Sequence, residues 1–324
     1  MKYKVLIVGL GNIGKRYFQG ICKIIDSKID IFIFDKDVKK LNKFILENKN
    51  YSNKNISLNK LSLSNKRFDL IIISTTARNR GKVIKYYNDK YRISKWIIEK
   101  VIEQNSKNVL NINKTLSNKK VFINIPRRLM TRFIKLKKDI NKKSNLVFKI
   151  SGGNWGLASN AIHFFDLVFW ITGTLPYKVK SIGKGLIWKK SRRRKSFLEA
   201  NGGIKIFFKK NNILLLSSTN STKPLKIEIF HENDKWVLFE VKLVNKDKKL
   251  FFEHCNSDVK KNKKIIFRDK LVLQSDLSKN LVRNLLKYDK CKLPKLKDQV
   301  VLHQVMLEYF STTIKTRNEI INIT

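Results

Sequence analysis

The chain has 324 residues, with 70 Lys and Arg against 25 Asp and Glu, a formal net charge of +45, and 42% hydrophobic residues. That much apolar material can bury a core, so wholesale disorder is excluded, and the length points to about two domains. Few prolines and glycines exclude collagen-like and linker-type chains, while three cysteines (Cys22, Cys255, Cys291) without a Cys-x-x-Cys cannot form a disulfide framework and fit a reducing compartment.

The first predicted element is a strand over residues 4–8, an apolar and β-branched run. Gly9 to Lys15 interrupts that run and no cleavage-site pattern follows, so it does not read as a signal peptide. The strand leads directly into Gly9-Leu10-Gly11-Asn12-Ile13-Gly14, and Ile13, Tyr17, Ile21 and Ile24 then recur at helical spacing. This is G-x-G-x-x-G in its required context of strand, tight turn and helix, the pattern that seats a dinucleotide diphosphate. Gly9 permits the turn, Gly11 lets the backbone approach the diphosphate, and Gly14 lets helix and strand pack closely. Asn12 and Ile13 open the helix, whose N–H groups and positive dipole end face the phosphates.

A second strand, residues 30–34, ends at Asp35, 21 residues after Gly14. A carboxylate there accepts the ribose hydroxyls of NAD and repels a 2′-phosphate, so NAD(H) is preferred, while Lys36 beside it leaves NADP(H) open. Helix 39–46, strand 70–74, helix 81–87, strand 96–99 and strand 121–125 continue the alternation, which predicts an α/β Rossmann domain with a doubly wound parallel sheet. Ligands bind beyond the carboxyl ends of such strands. Three segments fall there: Ser74-Thr75-Thr76, Glu99-Lys100, and Pro126-Arg127-Arg128. Lys100 at a strand end reads as a donor or acid/base group in the cofactor cleft, against the plainer reading of a surface ion pair with Glu99.

Beyond a strand at 146–150, the glycine-rich stretch Gly152-Gly153-Asn154-Trp155-Gly156 predicts a helix beginning near Ala158. Ser159 and His163 share one face of it, and Asp166 follows His163 by three residues, where it can orient the imidazole. The apolar stretch 161–171 contains His163 and Asp166 and is too short to span a bilayer, so a cytoplasmic protein without membrane contact is expected. Strands follow at 179–187, 203–209, 213–217, 226–231, 236–241, 250–254 and 265–267, a pattern of antiparallel sheet, and helices at 275–288 and 297–315 close the chain. His231 and His254 read as ordinary strand residues, so no metal site is assigned, and His303 reads as structural.

The excess charge is mostly Lys scattered along the chain with abundant Asn and Ile, all A/T-rich codons, so genome composition accounts for it. The densest cluster, residues 192–195, reads as a solvated loop between strands, with phosphate binding as the alternative. No zinc-finger or RNP-type motif occurs, and no nucleic-acid partner is expected.

Taken together, GLGNIG at 9–14, the Glu99-Lys100 strand end, the Arg128 segment, the helix with His163 and Asp166, and the His303 helix resemble the glucose–fructose oxidoreductase/inositol dehydrogenase/MocA (Gfo/Idh/MocA) family. The resemblance implies NAD(P)-dependent oxidation or reduction of sugars, nucleotide sugars or cyclitols. It also implies an α+β C-terminal domain on a large, mostly antiparallel sheet, and a homo-oligomer, dimer or tetramer. A division at 1–122 and 123–324 follows, with the C-terminal helix packing back on the first domain. The family usually has Pro where this chain has Val101, and Asp where it has Ser159. The Trp155 to Ala158 stretch looks like members placed in surface-polysaccharide and unusual-sugar pathways. On this reading Lys100 and His163 are catalytic: His163 takes the hydroxyl proton and Lys100 stabilises the alkoxide, or the reverse. Glu99 positions the nicotinamide ribose, Ser74, Thr75 and Thr76 contact the cofactor, and Arg128, Trp155, Ser159, Asn160 and Asp166 contact substrate. Two rival functions stay open: an NAD-dependent lyase or dehydratase acting through a transient keto intermediate, and a non-catalytic NAD-binding protein.

Overall fold

A computed structural model describes residues 2–48, 56–62, 67–140, 144–192, 195–232, 234–240, 251–258, 263–270, 273–314 and 320–324. The chain forms two compact units: 1–103, 107–129 and 272–300 make the first, and 104–106, 130–271 and 301–324 the second.

The first unit holds β1 (Lys2–Val8), α1 (Asn12–Cys22), β2 (Lys28–Phe34), α2 (Val38–Glu47), β3 (Ile56–Lys60), β4 (Arg67–Ile73), α3 (Arg80–Lys90), β5 (Arg92–Glu99), α4 (Ser106–Thr115) and β6 (Lys120–Asn124). Its sheet runs β3-β2-β1-β4-β5-β6, and every neighbouring pair is parallel. This is the doubly wound order, which reverses between β1 and β4. The central strands are apolar on both faces because both are covered: Val5, Leu6 and Ile7 on β1 and Leu70 to Ile73 on β4 are buried. A single-sequence reading misses β3 and α4, because β3 is a short, half-buried strand and α4 buries only Val109 and Ile112.

A later helix, here α7 (Gln274–Tyr288), completes this unit by packing on α1. The approach is close: a Cβ on Gly20 would lie 2.5 Å from the Ser275 carbonyl oxygen and 2.8 Å from Ser278 Cβ. Leu281, Val282, Leu285 and Leu286 join the core of β1, β2 and α1. Asp26, beyond α1, pairs with Arg283 at 2.6 Å and Lys287 at 2.8 Å, and these partners hold its carboxyl well below the usual range.

The second unit contains α5 (Thr131–Ile140), β7 (Val147–Gly153), α6 (Leu157–Thr172), β8 (Pro176–Lys190), β9 (Leu198–Phe208), β10 (Ile213–Thr219), β11 (Leu225–His231), β12 (Asp234–Glu240), β13 (Phe251–Asp258) and β14 (Lys263–Lys270). Its eight-stranded sheet runs β14-β13-β12-β11-β7-β10-β9-β8, antiparallel except for the β7–β10 pair. Helix α6 packs on β9 and β10, burying Ala158, Ala161, Ile162, Phe164, Phe165 and Val168. Thr131–Ile140 carries a readable amphipathic stripe (Phe133, Leu136, Ile140) that the sequence reading passed over.

The last helix, α8 (Leu296–Ile314), starts in the first unit and runs into the second. There Phe310 meets the Trp188 ring at 5.5 Å. Residues 320–324 bind the second unit through Leu198 N–H to Asn322 O at 2.6 Å and Ile321 N–H to Gln104 O at 2.9 Å. Val241, Leu250 and Lys315, at the ends of predicted elements, and Arg193 and Arg194 of the basic run lie outside the described residues. Among the described residues no helix is long and apolar enough to cross a membrane.

Candidate active site

In the first unit the glycine turn is pinned from two flanking strands. The Gly9 N–H donates to Phe34 O at 2.8 Å, and Ser74 Oγ donates to Gly9 O at 2.6 Å and Val8 O at 3.0 Å. Gly9 has φ +95°, which a side chain rarely adopts. A Cβ on Gly14 would lie 2.0 Å from Gly9 O and 2.7 Å from Ser74 Oγ, so only glycine lets α1 start this close to the turn. Gly11 is different: nothing lies within 4 Å of where its Cβ would be. It is also the N-cap of α1, with no side-chain cap and no acidic residue in the first turn. An uncapped helix start beneath open space fits a diphosphate, because the first-turn N–H groups have no intrahelical acceptors. Asn12 is exposed at this end, while Ile13 packs on the core.

Asp35, just past β2, is 8% exposed. Its Oδ2 accepts from Leu10 N–H at 2.6 Å and Lys40 Nζ at 3.1 Å, and its Oδ1 accepts from Asp37 N–H at 3.0 Å. Burial would raise the carboxyl, but these three donors outweigh it and hold Asp35 below its ordinary value. The cation paired with Asp35 is Lys40, while Lys36 beside it is exposed. Asp37 caps α2 through Lys40 N–H at 3.0 Å, and that first turn carries position 40 back to the carboxylate.

The ends of β4 and β5 are joined by a residue the sequence reading missed. Arg80, at the start of α3, is fully buried. Its guanidinium donates to the carbonyls of Thr75, Glu99 (2.5 Å), Val101 and Ile102 (3.3 Å). One side chain thus ties together the two strand-end segments that carry Thr75 and Lys100. The hydroxyl of Thr75 is buried with no partner among the described residues. Thr76, Glu99 and Lys100 are half-buried, and the Lys100–Val101 peptide bond is cis. Glu99 accepts a hydrogen bond from Asn124 Nδ2, and Asn124 Oδ1 accepts from Tyr17 OH at 3.0 Å. Burial above all, and then the Glu99 charge, raises the Tyr17 hydroxyl well above its usual value, so it stays a proton donor. Arg127 and Arg128 lie half-buried in a 3-10 turn, Pro126–Leu129, after β6.

The second unit groups the remaining predicted residues around the start of α6. Gly152 and Gly153 let the β10–β11 connection cross closely, since a Cβ on Gly153 would lie 2.1 Å from Ser221 O. Trp155 Nε1 donates to Ser217 O at 2.8 Å, and Asn160 Nδ2 donates to Trp155 O at 2.8 Å, so both side chains shape the turn. Glu199 on β9 was not foreseen. It accepts from Ala158 N–H at 2.5 Å, Ser159 N–H at 3.3 Å and Ser159 Oγ at 2.7 Å. A carboxylate capping this helix start satisfies orphan N–H groups and complements the dipole. His163, one turn on, is half-buried, and Asp166 is fully buried. Nothing in local sequence marks Arg80 or Glu199, because the Arg80 acceptors at 99–102 lie 19 to 22 residues away and the Glu199 donors at 158–159 lie 40 to 41 residues away.

No protein-family model matches the chain, and no curated protein matches it. Solved structures do. A UDP-N-acetylglucosamine 3-dehydrogenase, GnnA from Acidithiobacillus ferrooxidans, has a TM-score of 0.65 at 12% identity, over 97% of this chain and 97% of that one. The dehydrogenase MviM from Clostridium difficile gives 0.66 at 12% identity, over 97% and 100%. A super-repressor mutant of Gal80p from Saccharomyces cerevisiae gives 0.70 at 14% identity, over 98% and 100%. The class of architecture is a Rossmann unit coupled to a unit built on a large, mostly antiparallel sheet. More particularly, the neighbours are Gfo/Idh/MocA-type proteins, and the chain has their fold.

Proposed function

We propose that this protein is an NAD(P)-dependent oxidoreductase that moves a hydride between a nicotinamide cofactor, preferably NAD(H), and a sugar, nucleotide sugar or cyclitol. The observation that carries this reading is the uncapped start of α1 beneath open space at Gly11, with the turn pinned by Phe34, Asp35 and Ser74. A bound nicotinamide supplies the hydride donor or acceptor. Arg80 fixes the strand ends that present Thr75 and Lys100, and Asn124 orients the Glu99 carboxylate. His163 takes or returns the substrate hydroxyl proton, and Lys100 stabilises the alkoxide charge. Trp155, Asn160 and the Glu199-capped Ser159 shape the turn beside His163, where substrate hydroxyls bind. We place the protein in the cytoplasm as a dimer or tetramer, with surface-polysaccharide or unusual-sugar biosynthesis as its setting.

The test is a screen of NAD(H)- and NADP(H)-dependent absorbance changes against nucleotide sugars, free sugars, uronates and cyclitols, repeated with Lys100→Met. Turnover that Lys100→Met abolishes, with NADH binding retained, is the expected result. Wild-type turnover in Lys100→Met would remove Lys100 from the mechanism. The similarity to the Gal80p super-repressor mutant motivates a second reading, a non-catalytic dinucleotide-binding protein. NADH binding without turnover on any member of the panel would select it.

A further inference from the structure

We propose that Lys189 and Arg192 form an anion site at the entry to α6, which receives the phosphate or diphosphate of a phosphorylated sugar. This rests on the oxidoreductase reading above and narrows its substrate class to sugar phosphates and nucleoside diphosphate sugars. Lys189 lies near the end of β8, directly opposite Glu199 on β9, and is half-buried. Its Nζ donates to Asn154 Oδ1 at 2.7 Å. Asn154 Nδ2 donates to Asn220 Oδ1 at 3.2 Å, and the same oxygen accepts from Arg192 Nη2 at 3.3 Å. Two cations thus end on one pair of linked amides. Among the described residues neither cation has a carboxylate within ion-pair distance. Glu199 itself is taken up by Ala158 and Ser159 at the start of α6. Burial first, and then the Arg192 charge, lower the Lys189 ammonium below its ordinary value against the pull of Glu199.

The fold fixes these groups. The Asn154 N–H donates to Thr219 O at 2.8 Å, and its Nδ2 also donates to Ser221 O at 3.1 Å. The close crossing at Gly153 brings the β10–β11 connection, with Asn220, against that turn. Arg192 and Asn220 are exposed, so an anion reaches the pair from solvent. A phosphate there replaces the neutral amide oxygens as acceptor for the ammonium and the guanidinium, giving charge-assisted contacts to both. Its two charges match two cations, which the single charge of a carboxylate does not. Asn154 also opens the turn that leads into α6, the helix with Ser159 and His163. A phosphate held at that turn anchors a sugar whose carbinol meets His163.

The experiment is calorimetric titration of glucose 1-phosphate, UDP-glucose, glucuronate and glucose into the full chain and its Lys189→Met, Lys189→Arg, Arg192→Gln and Lys184→Met variants. Lys184 is exposed elsewhere on β8, so its variant controls for the general positive field. One or both phosphorylated probes are expected to bind more tightly than glucuronate or glucose, and which of them binds separates monophosphate from diphosphate recognition. Lys189→Met and Arg192→Gln are each expected to weaken that binding about tenfold or more, and Lys184→Met by less than about twofold. Lys189→Arg keeps the charge and is expected to retain it. An equal loss in Lys184→Met, unchanged binding in both Lys189→Met and Arg192→Gln, or glucuronate bound as tightly as the phosphorylated probes would overturn the proposal. NADH titrated into the same proteins separates the two readings. Phosphorylated sugar bound without NADH would leave the anion site and refute the oxidoreductase reading, whereas NADH bound without either phosphorylated sugar would do the reverse.

Discussion

Replacing Arg80 by Met keeps an unbranched apolar stem in place and removes the guanidinium that holds the carbonyls of Thr75, Glu99, Val101 and Ile102. The side chain is fully buried, so water does not reach the vacated acceptors. Leaving a buried acceptor unsatisfied costs about 1–3 kcal/mol, and a charged donor is worth more than a neutral one. The four acceptors share one donor group and their costs do not add, so the net loss is about 3–5 kcal/mol. That corresponds to a fall in melting temperature on the order of 10 °C for the unit concerned. Hydrogen exchange followed by peptide mass spectrometry localises the effect: residues 74–80 and 99–103 exchange faster, and sheet positions far from the clamp change less. NADH affinity falls as well, since a clamped segment carries Thr75. If Arg80→Met melts within a degree of the parent and exchange at 99–103 is unchanged, the clamp does not order these loops.

Three further outcomes follow from the same structure. Glu199→Ala removes the carboxylate that accepts from Ala158 N–H, Ser159 N–H and Ser159 Oγ, and it is expected to destabilise the second unit by about 1–2 kcal/mol in denaturant titration. Glu199→Gln keeps an acceptor and recovers part of that loss. Burial pushes the Cys22 and Cys291 thiols up to about 12, so in the native protein both resist alkylation at pH 8 and become reactive on unfolding, as read by peptide mapping. Because their folded values are raised, both thiols keep their stabilising effect below the unfolded value of about 8.5 and lose it as pH rises toward 12, so stability declines with increasing alkalinity across that window.

The Rossmann half of the fold is legible because its strands are buried on both faces. Val5 to Val8, Leu70 to Ile73 and Trp96 to Ile98 read as uninterrupted apolar runs, and helices of clear period separate them. The glycine turn is legible because each glycine answers a separate steric demand, from positive φ at Gly9 to the 2.0 Å approach at Gly14. What escaped is long-range. Arg80 matters through carbonyls on two strand ends, and Glu199 through a helix start 41 residues earlier, and no local spacing encodes either. Lys40 went unread for a related reason: it lies five residues beyond Asp35, and only the capped turn that begins α2 brings its ammonium to the carboxylate. At Ser159, where the resemblance implies an Asp, the fold brings a carboxylate from β9 to the start of α6, with Glu199 Oε2 2.7 Å from the hydroxyl.

The most direct measurement is a titration of NADH into the wild-type chain and into Gly11→Val. The side chain at position 11 would fill space that is open to 4 Å in the protein alone, so Gly11→Val is expected to fold, with a loss of about 1 kcal/mol for the poorer N-cap of α1. Saturable binding of one NADH per chain, lost in the folded Gly11→Val protein, is the predicted result; equal binding by both proteins would place any dinucleotide away from the start of α1 and contradict the account.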